Sequence, residues 1–196
     1  DKIRTGYRLE DVTGIPLQIT GDASQNIINV YYVRKDTKVT IKYIDQVSGT
    51  EIDIQKEIEG KYGDKLNLAD YQERLIGYVY LGNDSGETDT ISMTEENRTI
   101  TYKYAKEANV VVKYLEKDTN EVLKTEKQID GYEGKKYEAK AETIDGYRLE
   151  IIPDNASGKM VEGETIVIFQ YVQATKVITE YIDKYTNEVL DKIEIS

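Results

Sequence analysis

The side chains of this chain that could perform catalysis are limited to carboxylates, hydroxyls and amines, because it contains no histidine and no cysteine. The pairs in which a base activates a serine or thiol nucleophile therefore cannot be built. Paired carboxylates could still act as general acid and base. The 37 Asp and Glu residues, however, are scattered at turn positions, which is typical of a solvated surface. No acid, base and electrophile converge in the sequence, so we expect no enzyme.

Two glycine-bearing loops, 83–87 and 154–158, hold oxygen-bearing side chains that raise the question of a cation site. Neither loop has the spacing of a calcium-binding loop with its distal bidentate glutamate. Turn chemistry is sufficient to explain Asn, Asp, Ser and Gly at such positions. We therefore expect neither a metal nor any other cofactor.

Tyrosine is the unusual residue type, with 17 tyrosines against one phenylalanine and no tryptophan. An exposed tyrosine ring can stack on the C–H face of a sugar while its hydroxyl forms hydrogen bonds, which suggests glycan recognition. Core packing is the alternative, and it is favoured for tyrosines that recur at equivalent positions. Nine recur in this way: Tyr7, Tyr32, Tyr43, Tyr78, Tyr104, Tyr114, Tyr147, Tyr171 and Tyr181. Three more align with apolar residues and are also expected to be buried: Tyr80, Tyr102 and Tyr137.

Five tyrosines remain that align with polar residues or with no comparable residue. They are the candidates for exposed ligand contacts: Tyr31, Tyr62, Tyr71, Tyr132 and Tyr185. A single exposed tyrosine often has no role. Clustering of the five on one face would favour a binding surface, whereas dispersal would favour a chain without a ligand.

The elements that must position these tyrosines recur about every 70 residues. Tyr43, Tyr114 and Tyr181 lie 71 and 67 residues apart, and the pentapeptide Thr-Asn-Glu-Val-Leu occurs at both 119–123 and 186–190. Recurrence at this length predicts small modules in series.

Each repeat begins and ends with apolar and polar residues in alternation, as in 39–43 and 100–104. Because side chains alternate between the two faces of a strand, these runs predict amphipathic strands. Polar turns follow the opening strands and predict hairpins. The segments 64–75 and 135–144 contain good helix formers and predict a short helix or a single turn. The chain is therefore expected to be mainly β, or α+β at most.

The repeat predicts four segments: a second half at 1–34, whole repeats at 38–104 and 109–172, and a first half at 176–196. The connections between them are very short and contain no Gly or Pro, which predicts a stiff, elongated rod. Two explanations of the half repeats stay open. Either the chain is a piece cut within a repeat, or the folded unit has a different phase. Ordered halves would need partners, for which counterparts in a neighbouring molecule would serve.

The charge of −11 and the predicted pI of about 4.7 limit the partners. Such a chain repels phosphate backbones and anionic lipids, so we expect no nucleic-acid partner. It has no apolar run of membrane-spanning length and no signal peptide, so we expect no membrane insertion and a soluble piece of a longer protein.

The ordered set of motifs resembles the MucBP (mucin-binding protein) domain of Gram-positive bacterial surface adhesins. The matching elements are Val-x-Ile-x-Tyr-Ile-Asp at 39–45 with its counterpart at 110–116, the turn at 119–123, the Gly-Tyr pairs, and the closing strand at 99–104. Gly63 and Gly134 match the family's central glycine. The resemblance extends over essentially the whole chain.

This resemblance implies β modules related to the β-grasp group, in an extracellular protein attached to the cell wall by an anchor outside this segment. It also implies tandem weak sites for the glycans of host mucin or other glycoproteins. Members of such arrays also act as passive stalks that project a distal adhesive domain, and this alternative stays open.

Overall fold

The computed structural model describes residues 2–15, 18–86, 89–175 and 177–195 and divides into two units, Asp1–Ala105 and Lys106–Ser196. The prediction of a mainly β chain is confirmed, since the only helical segments described are three 3-10 turns: Ala23–Gln25, Leu68–Tyr71 and Asp154–Ala156. Glu87, which belongs to one of the predicted glycine loops, lies outside the described residues. The strands are β1 Tyr7–Thr13, β2 Asn29–Arg34, β3 Asp36–Asp45, β4 Glu51–Lys61, β5 Lys65–Asn67, β6 Tyr78–Asn83, β7 Thr90–Ser92, β8 Arg98–Glu116, β9 Val122–Tyr132, β10 Lys136–Glu138, β11 Tyr147–Ile151, β12 Ser157–Lys159, β13 Gly163–Gln173, β14 Val177–Ile182 and β15 Val189–Ile195.

The main sheet of the first unit has the order β4-β3-β8-β6. Strand β3 pairs antiparallel with β4 and parallel with the first part of β8, so that Tyr43 lies opposite Tyr102 and Asp45 opposite Tyr104. A small antiparallel sheet of β5 and β7 covers its inner face. The buried residues are Val39, Ile41, Tyr43, Leu66, Leu68, Ile91, Met93, Ile100, Tyr102 and Tyr104. The alternation in 39–43 and 100–104 thus produces the core that the sequence predicts.

An irregular segment after β5 closes the core of the first unit, and tyrosine hydroxyls hold it. Tyr43 Oη donates to the carbonyl oxygen of Tyr71 at 2.9 Å, and Tyr102 Oη donates to that of Leu68 at 2.6 Å. Tyr104 Oη donates to the carbonyl oxygen of Glu73 at 2.7 Å. Carbonyls that a helix would have paired internally are therefore satisfied by side chains. The short helix or single turn predicted in 64–75 is a single 3-10 turn, Leu68–Tyr71.

The second unit repeats this arrangement, with a main sheet β9-β8-β13-β11 and a small sheet of β10 and β12. The second part of β8 runs parallel to β13, with Tyr114 opposite Phe169 and Glu116 opposite Tyr171. The helix or turn predicted at 135–144 is wrong. The segment forms β10 and an irregular stretch whose Glu142 amide and carbonyl both bond to Tyr171 Oη, at 3.0 and 2.7 Å. The buried residues are Ala108, Val110, Val112, Tyr114, Ala139, Met160, Val167, Phe169 and Tyr171.

Each module also places a glycine against a buried methionine. A Cβ atom added to Gly60 in β4 would lie 2.5 Å from the sulfur of Met93, and one added to Gly131 in β9 would lie 2.5 Å from that of Met160. A carbon atom cannot approach sulfur that closely without displacement of one of them. Glycine at these positions leaves room for the methionine side chain to pack in each core.

Two antiparallel hairpins, β1–β2 and β14–β15, lie in the segments 1–34 and 176–196 that the sequence predicts to be half repeats. The predicted burial of Tyr7 and Tyr181 is wrong, because 38% and 50% of their surfaces are exposed. Their counterparts Tyr78 and Tyr114 pack against the cores of whole modules. A two-stranded hairpin has no second layer to cover its inner face, which explains the difference. Tyr32 is half-buried, and its hydroxyl donates to the carbonyl oxygen of Lys2 at 2.7 Å.

Candidate functional site

Tyr62 contacts the N-terminal half repeat within the first unit. Its ring lies 6.1 Å from that of Tyr7 in an edge-to-face arrangement, against the backbone of Gly6. Its carbonyl oxygen accepts a hydrogen bond from Arg34 Nη1 at 3.2 Å, and its amide donates to the carbonyl oxygen of Lys35 at 2.9 Å. These contacts give Tyr62 a packing role at the junction of the half repeat and the module.

Tyr71 ends the 3-10 turn of the first module and packs against its core. The backbone carbonyl of Tyr71 accepts the hydrogen bond from the Tyr43 hydroxyl. Tyr71 is half-buried, so it offers a ligand less surface than the exposed Tyr31 and Tyr185 do.

Tyr31 lies on β2 opposite Asp11, next to an irregularity in the pairing with β1. Its side chain is 49% exposed. Lys103 occupies the equivalent position in the first whole module and is also exposed. Tyr31 is thus an aromatic residue at an outward position that elsewhere carries a charge.

Tyr132 ends β9 opposite Glu107. Lys135 Nζ lies 5.8 Å from the centre of its ring, within the range of a cation–π contact. In the first module the position of Tyr132 is occupied by Lys61, which forms an ion pair of 2.6 Å with Asp36. The second module therefore presents a half-buried ring with an adjacent cation where the first presents an ion pair.

Tyr185 is the most exposed of the five, with 91% of its surface accessible, and it lies in the β14–β15 turn. Asp183 Oδ1 accepts hydrogen bonds from the amides of Tyr185 and Thr186 at 2.7 and 2.8 Å. Asn187 adopts a φ of 57°, in the left-handed region that Asn tolerates. A defined turn thus presents a ring to solvent.

The residue that begins each polar turn is acidic in every copy, as Asp45, Glu116 and Asp183, and the sequence did not predict its role as a hydrogen-bond acceptor for turn amides. The hydroxyl and amide of Thr119 lower the pKa of Glu116, and the amides of Thr186 and Tyr185 lower the pKa of Asp183. Both groups are therefore ionised anchors for turn amides. The residue two positions later differs between copies, being Val47, Asp118 and Tyr185.

The five candidates do not form a single cluster of rings. All lie in the described part of the chain, and no ring contact joins any two of them. Tyr62 and Tyr71 are engaged in packing, Tyr132 is half-buried beside Lys135, and Tyr31 and Tyr185 are exposed. The ring contacts described elsewhere belong to the cores, as between Tyr80 and Tyr104 at 5.3 Å.

No deep pocket accompanies these tyrosines among the described residues. A groove of about 520 Å³ lies beside the junction of β2 and β3, and its lining is mostly charged: Asp36, Thr37, Lys38, Glu59, Gly60, Lys61 and Asn97. Its cations are already paired, Lys38 with Glu57 and Lys61 with Asp36. Across residues 2–15, 18–86, 89–175 and 177–195, no three acidic side chains are grouped as metal ligands require. The same ranges contain no helix that is both long and apolar enough to cross a membrane.

Two modules in tandem, each a mixed sheet covered by a small second sheet, define a mainly β repeat protein. The MucBP domain family matches residues 38–105 and 109–172, which together make up more than half of the chain. The chain therefore belongs to the MucBP domain family, as the motifs predict.

Two similar proteins are internalins of Listeria monocytogenes. Internalin I is 29% identical over 81% of this chain, and internalin J is 28% identical over 94% of it. The chain spans only 9% and 21% of the length of these relatives. Among solved structures, the type 2 repeat of the mucus binding protein MUB from Lactobacillus reuteri is 16% identical and aligns over 70% of this chain and 100% of its own length. Its TM-score of 0.27 is too low to support a conclusion.

Proposed function

We propose that this chain is part of the repeat region of an extracellular, cell-wall-associated adhesin that binds the glycans of host mucin or another glycoprotein. The observation that carries the proposal is the tandem match to MucBP domains at 38–105 and 109–172. The relationship to internalins of a Gram-positive bacterium supports the surface location.

In this proposal the contacts are weak and repeated. Tyr31, Tyr132 and Tyr185 supply ring faces for stacking on sugars and hydroxyls for hydrogen bonds. The net charge of −11 gives no attraction to sialylated or sulfated glycans, so affinity depends on stacking, hydrogen bonds and avidity along the array.

The relationship to the β-grasp group and the elongated shape are also part of this proposal. A parallel central pair flanked by antiparallel strands, as in β4-β3-β8-β6, is consistent with the β-grasp group that the family resemblance implies. The elongated rod stays a prediction that rests on short connections without Gly or Pro.

Exchange of Tyr31, Tyr132 and Tyr185 for serine tests the proposed contacts. The variant Tyr31→Ser/Tyr132→Ser/Tyr185→Ser is compared with a matched control that changes the equivalent residues, Lys103→Ser/Lys61→Ser/Val47→Ser. Binding to immobilised mucin is measured by biolayer interferometry. Because stacking contacts of about 1 kcal/mol each are lost at several sites, we expect the tyrosine variant to bind at least about tenfold more weakly. Equal binding by the two variants would contradict the assignment of these residues.

A passive stalk is the second candidate, and the use of tyrosines in packing favours it. The hydroxyls of Tyr43, Tyr102, Tyr104 and Tyr171 are bonded to backbone groups of the segment that closes each core. Abundant tyrosine thus has a structural explanation that needs no ligand. A stalk would leave mucin unbound at every density of immobilised chain.

A further inference from the structure

The outer face of the small sheet in the second module carries two lysines directly opposite each other. Strand β10 pairs antiparallel with β12, and in this register Lys136 lies opposite Lys159. Both side chains are exposed. The neighbouring Tyr137 packs against the core, so by the alternation of a strand Lys136 points away from it. Lys136 and Lys159 are called the lysine pair below.

The backbone bonds of this sheet bring the two lysines close together. The amide of Met160 donates to the carbonyl oxygen of Lys135 at 2.8 Å, and the amide of Ala139 donates to that of Ala156 at 2.7 Å. Because hydrogen-bonded and non-hydrogen-bonded positions alternate in an antiparallel sheet, the lysine pair occupies a non-hydrogen-bonded position. The Cα atoms at such a position are about 4.5 Å apart, and the side chains are closer than at a hydrogen-bonded one. Both ammonium groups can therefore reach a single ligand group.

Like charges at directly opposite positions of two strands repel each other and lower stability. Wherever two charged residues lie opposite in the other antiparallel pairs with a described register, their signs differ. These opposite-charge positions are Asp36–Lys61, Lys38–Glu59 and Glu180–Lys192. Neither member of the lysine pair forms an ion pair or a side-chain hydrogen bond in the part of the chain that the structure describes. The repulsion between them is therefore not offset by a neighbouring carboxylate.

The first module has a different arrangement at the equivalent positions. Lys65 on β5 lies opposite Ser92 on β7, and its Nζ donates to the serine Oγ at 2.6 Å. A lysine in place of this serine removes the acceptor and adds a second donor group. Because the first module folds with a lysine and a serine here, the fold of a module does not require the second lysine.

We propose that the lysine pair binds an anionic group of a host glycan, either a sulfate ester or the carboxylate of a sialic acid. The inference rests on the proposed function, and it names the chemical group that the second module recognises. Lysine ammonium groups are hydrogen-bond donors without an acceptor, so two of them suit the oxygen atoms of one anion. An anion held between them also offsets their mutual repulsion.

The charge around the lysine pair limits the strength of this contact. Glu138 lies two residues further along β10 on the same face, opposite Ser157, and forms an ion pair with neither lysine. Two cations and one carboxylate leave a local net charge of +1 in a chain whose total is −11. The attraction is therefore local, and salt screens exposed charges. We expect weak binding whose strength falls as the salt concentration rises.

Titration of the isotope-labelled full chain with small sugars, followed by NMR, tests the lysine pair directly. The probes are a sulfated galactose, sialyllactose and, as the neutral control, lactose. We expect at least one anionic sugar to shift the amide resonances of 136–138 and 157–159, and lactose to leave them unchanged. A response to the sulfated sugar alone identifies the sulfate ester, and a response to sialyllactose alone identifies the carboxylate. A response to neither, or an equal response to lactose, would overturn the proposal.

Single exchanges test whether the second lysine carries the response. Lys159→Ser recreates the lysine–serine arrangement of the first module and is expected to weaken binding of the anionic sugar about fivefold. The matched control Lys103→Ser removes the same charge from an exposed position in the first module, and it should leave the affinity within about twofold. The converse exchange Ser92→Lys, opposite Lys65, should add a response at 65–67. Equal affinities of Lys159→Ser and Lys103→Ser, or no added response in Ser92→Lys, would refute the lysine pair as the site.

Binding of the full chain to immobilised mucin separates this inference from the proposed function. A chain that binds native mucin but gives no response to the anionic sugars keeps the proposed function and loses the lysine pair. A chain that responds to an anionic sugar but binds no mucin keeps the lysine pair as an anion site and loses the proposed function.

Discussion

Removal of the hydroxyl of Tyr104 is the sharpest test of the role that the structure gives to tyrosine. The side chain is fully buried, and its hydroxyl donates to the carbonyl oxygen of Glu73 in the segment that closes the first core. The exchange Tyr104→Phe keeps the ring and deletes this bond alone. The matched control is Tyr31→Phe in the same unit, because Tyr31 is half-exposed.

The expected loss in the free energy of unfolding follows from the geometry of the hydrogen bond between Tyr104 and Glu73. An oxygen–oxygen distance of 2.7 Å is that of a well-formed hydrogen bond. Such a bond between neutral groups contributes about 1 kcal/mol net, and loss of the donor leaves the Glu73 carbonyl to be satisfied by water. We expect Tyr104→Phe to lower the free energy of unfolding by about 1 kcal/mol and Tyr31→Phe by less than about 0.5 kcal/mol.

Hydrogen exchange followed by mass spectrometry locates the effect, and urea denaturation of the full chain measures its size. Peptides covering 68–75 are expected to exchange about fivefold faster in Tyr104→Phe, the factor that corresponds to about 1 kcal/mol. Burial raises the pKa of Tyr104 to about 12. The neutral hydroxyl therefore stabilises the fold below pH 10, and this contribution is lost as the pH rises from 10 to about 12.

Unchanged exchange at 68–75, together with an unchanged midpoint in urea, would refute the reasoning. The hydroxyl would then be incidental, and the excess of tyrosine over phenylalanine would need another cause. Equal destabilisation by Tyr31→Phe would refute it as well, because the effect would not depend on burial.

Three further outcomes are expected from the geometry. Gly60→Ala should lower the urea midpoint by an amount equivalent to about 1–2 kcal/mol, since its methyl group meets a buried sulfur, whereas Gly21→Ala, with open space around it, should be neutral. Asn120 has a φ of 59°, so Asn120→Ala should cost about 1 kcal/mol in the same assay and Asn120→Gly less than about half of that. Lys127 and then Lys124 lower the pKa of Glu142, so this carboxylate stabilises the fold above pH 4.5 and the effect is lost as the pH falls through the lowered value. Circular dichroism between pH 7 and 3 should therefore show a smaller acid-induced loss of stability in Glu142→Gln, and an identical loss would count against the ion pairs.

The strands and core tyrosines could be predicted because the alternation of apolar and polar residues is a local feature of the sequence. Val39, Ile41 and Tyr43 are buried as the alternation requires. The same pattern misplaced Tyr7 and Tyr181, since burial depends on a second layer of structure that a local pattern does not specify. Composition also favoured a short helix or a single turn at 135–144, where bonds with the distant Tyr171 hold an irregular segment.

The candidate surface could be predicted only in part. Alignment identified Tyr31 and Tyr185 as outward residues, and both are exposed. It did not distinguish them from Tyr62, whose ring packs on Gly6 and Tyr7, because that contact joins residues more than 50 positions apart. The role of the turn carboxylates was not predicted, because Asp45 and Glu116 differ in side-chain length while accepting bonds from the same type of amide.

The central claim, that this segment recognises glycans, is tested most directly by binding of the full chain to native mucin and to the same mucin after enzymatic removal of its glycans. Biolayer interferometry at several densities of immobilised mucin would give the apparent affinity and its dependence on valency. We expect binding that strengthens with density and disappears on deglycosylation. Absence of binding to native mucin, or equal binding to both preparations, would contradict the claim.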